Sequence, residues 1–243
     1  MKKLIAFVLF FACLLSFAGC VGSGGECSCD CSCHTTCDEV TEVSTTPTPT
    51  TPTVTYPVYE TTCAKPVIYL YPEKEMQVSV KLDFNGQLTS VYPEYNDGWN
   101  VIAKPDGTII NLESGREHYC LFWEGDTDTE YDMSRGFVVS GEETEAFLED
   151  ALEKLGLTSR EANEFIIYWL PKMEGNEYNL ISFQGEQYTQ DAKLTVFPEP
   201  DSIIRVYMTW KALDTFVEVE PQMLVGIDRV GFTLVEWGGS EIK

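Results

Sequence analysis

From Thr41 to Thr62 the chain is dominated by threonine and proline (TTPTPTTPTVTYP at its centre), and this tract fixes what the rest can become. Such a segment buries too little apolar surface to build a core, favours extended polyproline conformations and offers hydroxyls for O-glycosylation. It reads as a disordered stalk whose contribution is reach. Residues 63–243 are then left as the folding unit, with apolar and aromatic side chains throughout and no second low-complexity break. About 180 residues suffice for one good core or two small ones.

Ahead of the stalk, residues 1–19 have the order of a secretory signal. Lys2 and Lys3 precede an apolar run from Leu4 to Phe17, then the small residues Ala18 and Gly19 stand before Cys20. The run is shorter than the roughly 20 residues a spanning helix needs and has the length of a signal core. We therefore expect cleavage before Cys20 and lipidation of its amine and thiol, although Phe17 departs from the leucine usual three residues before a lipidated cysteine. Two or three acyl chains make a stable anchor where one would not. Residues 20–62 become a lipidated cysteine-rich tract and stalk, and the expected location is the extracytoplasmic face of a cell membrane.

The net charge of −23, from 16 basic and 39 acidic residues, falls to −25 once Lys2 and Lys3 leave with the signal. A body so acidic repels phosphate backbones and anionic headgroups, so nucleic acid is disfavoured as a partner and the domain should stand off the bilayer.

Within 63–243 the first half alternates with period two. Val78, Val80, Leu82 and Phe84 mark a strand, Asn85-Gly86 predicts a type I′ turn, and Leu88–Tyr92 the return strand. Trp99–Lys104 and Thr108–Leu112 flank Pro105-Asp106-Gly107 as a second hairpin, and His118–Trp123 is a further strand. Together these predict an antiparallel meander, a sandwich or an open barrel. Ser140 with Glu143 and Thr158 with Glu161 have capping-box spacing and predict two helices, the first stopping at Gly156 and the second before Pro171. Tyr178–Phe183, Ala192–Phe197, Ile203–Trp210 and Arg229–Trp237 predict a further antiparallel sheet. The fold class is α+β, mainly β. Two subdomains, 63–137 and 138–243, and one continuous sheet with a helical insertion are both compatible with this pattern.

Several long segments carry a resemblance: Lys65–Pro72 (KPVIYLYP), Tyr92–Trp99 (YPEYNDGW), Leu121–Gly125 (LFWEG), Asn163–Glu174 (NEFIIYWLPKME) and Val235–Gly239 (VEWGG). Together they resemble a family of uncharacterised secreted or lipoprotein-type proteins. The resemblance implies one coherent domain across nearly all of 63–243 and brings no activity or cofactor with it.

The candidate sites are few. Cys27, Cys29, Cys31 and Cys33 alternate, with His34 next and Cys37 closing the run. Thiolates with imidazole suit Zn or Cu(I), but the spacing lacks the gaps of a zinc knuckle and an oxidising compartment favours disulfides. Cys63 and Cys120 are the other cysteines of the mature chain and are expected to pair, the sharper alternative being Cys120 as a nucleophile beside His118. Asp126, Asp128, Glu130 and Asp132 alternate as calcium ligands would, yet Tyr131 and Phe137 stand where an EF-hand needs Gly and Glu. Tyr92, Tyr95, Trp99 and Trp123 cluster in or beside turns, and Tyr95, Trp99 and Trp123 are the candidate platform for stacking a sugar. Glu94, Glu124, Glu174 and Glu236 are the glutamates a glycosidase pair would draw on. No P-loop, Rossmann fingerprint, H-E-x-x-H or G-x-S-x-G motif is present, and His34 and His118 are the two histidines. No cofactor is expected. The reading is a tethered surface module that binds a cell-envelope polysaccharide or a protein partner. Its alternatives are a carboxylate-dependent extracellular hydrolase and a structural or assembly component of the envelope.

Overall fold

The computed structural model describes residues 61–243. Cys20, the Cys27–Cys37 tract with His34, and nearly all of the stalk lie outside the described residues.

The chain runs through β1 (Thr61–Tyr71), β2 (Met76–Phe84), β3 (Gln87–Tyr92), β4 (Trp99–Ala103), β5 (Ile109–Asn111), β6 (Glu117–His118), β7 (Leu121–Thr127) and β8 (Phe137–Ser140). Helices α1 (Thr144–Lys154) and α2 (Ser159–Met173) follow, then β9 (Tyr178–Phe183), α3 (Glu186–Asp191), β10 (Ala192–Phe197), β11 (Ser202–Leu213) and β12 (Thr233–Glu241). A seven-stranded sheet has the order β3-β7-β1-β12-β11-β9-β8, and a five-stranded sheet the order β10-β2-β4-β5-β6. The fold is α+β and mainly β.

Two cores explain the sequence pattern. Ile68, Leu70, Leu121, Trp123, Tyr207 and Leu234 of the large sheet meet Val78, Val80, Trp99, Val101 and Ile109 of the small sheet. On the opposite face of the large sheet, Val67, Tyr69, Val206, Met208, Val235 and Trp237 pack against Leu148, Leu152, Phe165 and Trp169 of the helices. The molecule is thus small sheet, large sheet and helices in three layers. Strand β1 is covered on both faces, which is why its apolar run is unbroken, whereas β2 turns one face to solvent and alternates.

The large sheet draws on both halves of the domain. Strand β1 lies between β7 and β12, and α1 and α2 form an insertion between the paired neighbours β8 and β9. The division at 137/138 is therefore not where the structure divides, and the second set of strands does not form its own antiparallel sheet. Strand β12 pairs antiparallel with β1 and parallel with β11, because the 214–232 connection carries the chain back to the starting end of β11.

The Asn85-Gly86 hairpin is also corrected. Strand β2 pairs with β10 and β4 in the small sheet, while β3 pairs with β7 in the large one, so the dipeptide is a crossing between sheets. Asn85 donates its backbone N–H to the Asp191 carbonyl at 2.8 Å and its side-chain amide to the Asp191 carboxylate at 3.1 Å. Gly86 does not take a positive φ. Glycine is needed because a methyl there would overlap the Asp126 carbonyl oxygen and the Phe84 ring. The second hairpin forms as its turn chemistry dictates: β4 pairs with β5, Gly107 has φ 85°, and the Lys104 N–H donates to the Thr108 carbonyl at 2.9 Å.

At the start of α2 the Thr158 hydroxyl accepts from the Glu161 N–H at 3.4 Å, while the Glu161 carboxylate accepts from the Thr158 N–H at 2.8 Å. At the other site the Ser140 hydroxyl donates to the Glu143 carboxylate at 2.8 Å, and a short 3-10 turn, Gly141–Glu143, precedes α1. Gly156, at φ 90°, follows α1 as expected. Pro171 does not end α2 but lies within its last turn on an exposed face, where water can serve the carbonyl that loses its partner.

Candidate functional site

The predicted strand 118–123 is two strands. Strand β6 closes the small sheet and β7 joins the large one, so the chain crosses between layers at Tyr119-Cys120. A second crossing, from β3 to β4, starts at Tyr92. Where these crossings meet β1 there is a cavity of about 420 Å³ lined by Lys65, Val67, Tyr92, Glu117, His118, Tyr119, Cys120 and Phe122. That volume lies within the roughly 300–1,000 Å³ of ligand clefts.

Lys65 is placed there by a defect in β1. The register of β1 slips between Ala64 and Val67 on one side and between Cys63 and Val67 on the other. Within the slip Lys65 takes φ 60°, a left-handed conformation that a residue with a Cβ adopts at a cost. Its N–H donates to Glu124 Oε1 at 3.0 Å, which supplies the partner that the sheet ladder has lost. Pro66 follows with no N–H to satisfy and packs close to Gly238, where a Cβ would come within 3.0 Å of it. The Lys65 ammonium lies 5.3 Å from the Phe122 ring centroid and 5.8 Å from that of Tyr168. It makes no ion pair among the described residues. Lys65, Tyr92, Phe122, Tyr168 and Gly238, from five separate segments of the chain, thus converge on this bulge and its cavity.

Two tyrosines flank the cavity. Tyr92 is 57% exposed and sits edge-on to His118 with ring centroids 5.1 Å apart; Tyr119 is 52% exposed and carries the Arg160 guanidinium 6.0 Å from its centroid. His118 Nε2 is buried with no hydrogen-bond partner among the described residues. Beyond Tyr92 and His118 the surface continues into a cleft of about 530 Å³ with Pro93, Glu94, Asn111, Glu113 and Arg116. Beyond Tyr119 it continues into one of about 300 Å³ with Tyr69, Tyr71, Asp106, Arg160 and Arg229. Shared lining residues make the three a continuous groove.

The expected platform is not part of it. Trp99 and Trp123 are 1% and 0% exposed. The Trp99 indole donates to the Pro93 carbonyl at 2.9 Å, and that of Trp123 to Glu236 Oε1 at 3.1 Å. Tyr95 packs edge-on to Trp99 at 4.6 Å while its hydroxyl exchanges hydrogen bonds with the Leu82 backbone. Large aromatics with a polar handle gain more from burial with a partner than from standing in water.

Cys63 and Cys120 are free thiols. Cys63 belongs to the core between the sheets and Cys120 packs against the helix-side core, so the large sheet separates them. Burial pushes the Cys120 thiol up to about 11, with the Lys65 charge pulling the other way. It is a thiol and not a thiolate at neutral pH, which argues against a nucleophile.

The acidic run does not converge on one point. Asp126 accepts from the Thr62 hydroxyl at 2.7 Å, and Asp132 accepts from the Ser134 N–H at 2.8 Å, a bond that holds its carboxyl below the ordinary range. No cluster of three metal-ligating side chains occurs among the described residues. The glutamates are likewise dispersed. Glu236 is ion-paired to Arg205 inside the sandwich, Glu124 holds the Lys65 N–H, Glu174 is exposed at the end of α2, and Glu94 lies in the cleft beyond Tyr92.

No protein-family model matches this chain, and no solved structure does. Similarity to an uncharacterised protein in the bglA 3′ region of Butyrivibrio fibrisolvens reaches 49% identity over 65 residues, covering 26% of this chain and 66% of that protein, so the chain spans just under two thirds of that relative's length.

Proposed function

We propose that this chain is a non-catalytic binding module, lipidated at Cys20 and held off the cell membrane by its Thr/Pro stalk, that recognises a polymer of the cell envelope along the Tyr92–Tyr119 groove. One observation carries the reading: two half-exposed tyrosines flank a cavity with an apolar floor, and clefts continue from it on both sides. Exposed aromatic faces beside a long groove suit a chain of rings better than a single small molecule. The dispersed glutamates and the protonated Cys120 favour binding over hydrolysis.

The test incubates the full chain in detergent micelles with insoluble cell-wall polysaccharides, assaying sedimented protein and released sugar together. Cosedimentation without sugar release is expected. Tyr92→Ala and Tyr119→Ala should each weaken binding by about tenfold, the loss of roughly 1.4 kcal/mol that truncating an aromatic anchor entails. Sugar release, or binding indifferent to both tyrosines, would overturn the reading.

A further inference from the structure

The groove carries four cations against four carboxylates, Glu94, Asp106, Glu113 and Glu117, so it is locally balanced on a molecule that is strongly acidic. Five arginines are set against a net charge of −23, and three of them, Arg116, Arg160 and Arg229, line its clefts, with Lys65 in the central cavity. Arg229 is engaged by Glu161 and by the Gly156 carbonyl. The other three cations are available. Lys65 and Arg116 make no ion pair among the described residues, and the pair of Arg160 with Glu164, at 3.5 Å, is strongly exposed on the arginine side. An exposed pair of that kind is worth little and yields readily to a competing anion.

Lys65 is the most informative of these. A lysine is an expensive residue to hold at φ 60° beside a proline, and here a glutamate side chain is committed to its backbone N–H to keep it there. The arrangement directs a half-buried ammonium over two aromatic rings with no carboxylate in ion-pair contact. His118, which also lines the cavity, has its Nε2 buried and without a partner among the described residues. Glu117, the acidic residue of that lining, is exposed. A single ammonium over aromatic rings suits a singly charged carboxylate carried on a ring, whereas planar bidentate recognition of phosphate is better served by a guanidinium.

Resting on the binding role proposed above, we infer that the groove takes an anionic glycan built of uronic-acid rings. Lys65 pairs with the carboxylate of the ring in the central cavity, Tyr92 and Tyr119 flank that ring, and Arg116 and Arg160 meet carboxylates on either side. The surrounding negative charge repels such a polymer at long range, so the pairing must occur at contact inside the groove.

The experiment measures binding of the full chain in detergent micelles to polygalacturonate, to its fully methyl-esterified form and to an unsubstituted β-glucan. A salt concentration of 0.15 M screens the overall repulsion beyond about 8 Å. Polygalacturonate should bind at least about tenfold more tightly than the other two. Lys65→Asn removes the charge while keeping a residue tolerant of left-handed backbone, and should abolish that preference; Lys65→Arg should restore it. Equal binding to all three polymers, dependent on Tyr92 and Tyr119, would overturn the uronate inference while leaving the polymer-binding role intact. Binding to none of the cell-wall polysaccharides or these probes would remove both.

Discussion

Glu236 shows how much of this protein's polar chemistry is spent inside it. It is fully buried, Arg205 Nε reaches its Oε2 at 2.6 Å, Trp123 donates to its Oε1, and the Arg205 guanidinium lies 4.7 Å from the Tyr188 centroid. Arg205 also donates to the Ala192 carbonyl at 2.7 Å, so this one group ties β11 and β12 to the start of β10 in the other sheet. Breaking a buried pair leaves the remaining charge without its partner, a loss of roughly 3–5 kcal/mol. Glu236→Gln should lower the urea midpoint accordingly, and the double variant Glu236→Leu with Arg205→Met should recover most of the loss, since paired apolar groups of similar volume often match a buried ion pair. A single variant as stable as the parent would mean that the ion pair contributes nothing beyond its shape. Residue type in the sequence could not reveal this. Glu236 was as plausible a catalytic carboxylate as Glu94 until its partner, 31 positions away, fixed its role.

At the scale of elements, what was legible depended on whether the deciding contact was local. The β4–β5 hairpin was readable because Pro105, Asp106 and Gly107 determine the turn by themselves, and α2 was readable because Thr158 and Glu161 satisfy each other three residues apart. Asn85-Gly86 carries an equally strong local signal, yet Asp191 and Asp126 decide its geometry from 106 and 40 positions away, so the chain crosses between sheets there. The groove was legible only in part. The sequence marks Tyr92, His118 and Cys120 but not Lys65 and Tyr119, because a β1 bulge and a break between β6 and β7 bring these together. The available signal is the Lys65-Pro66 pair standing directly ahead of the apolar run Val67–Tyr71. Gly86→Ala tests the crossing. In a flexible turn the change would be neutral or stabilising by about 0.4–1 kcal/mol, whereas against the Asp126 carbonyl it should destabilise by about 1–3 kcal/mol, as overpacking does. Urea unfolding reads the sign.

For the whole molecule, the question is whether two cores mean two folding units. Strand β1 argues that they do not. Its Ile68 and Leu70 belong to the core between the sheets, and Val67 and Tyr69 to the core beneath the helices, so neither core can form without the strand that completes the other. Strand β12 repeats the arrangement with Leu234 on one side and Val235 and Trp237 on the other. The prediction is a single cooperative transition despite a three-layer architecture. Leu121→Ala opens a cavity between the sheets and Leu148→Ala one beneath α1; each should cost about 2–5 kcal/mol. Far-UV circular dichroism at the helical minimum follows α1 and α2, which touch only the second core, while hydrogen exchange of β2 and β4 amides follows the first. Under one cooperative transition both variants shift both probes by the same amount. If Leu121→Ala instead released the β2 and β4 amides while the helical signal kept its parent midpoint, β1 would be a shared boundary and not a shared element. The groove, which draws Lys65 from β1, His118 from the small sheet and Phe122 from the large one, could then lose its shape while the helices stayed folded.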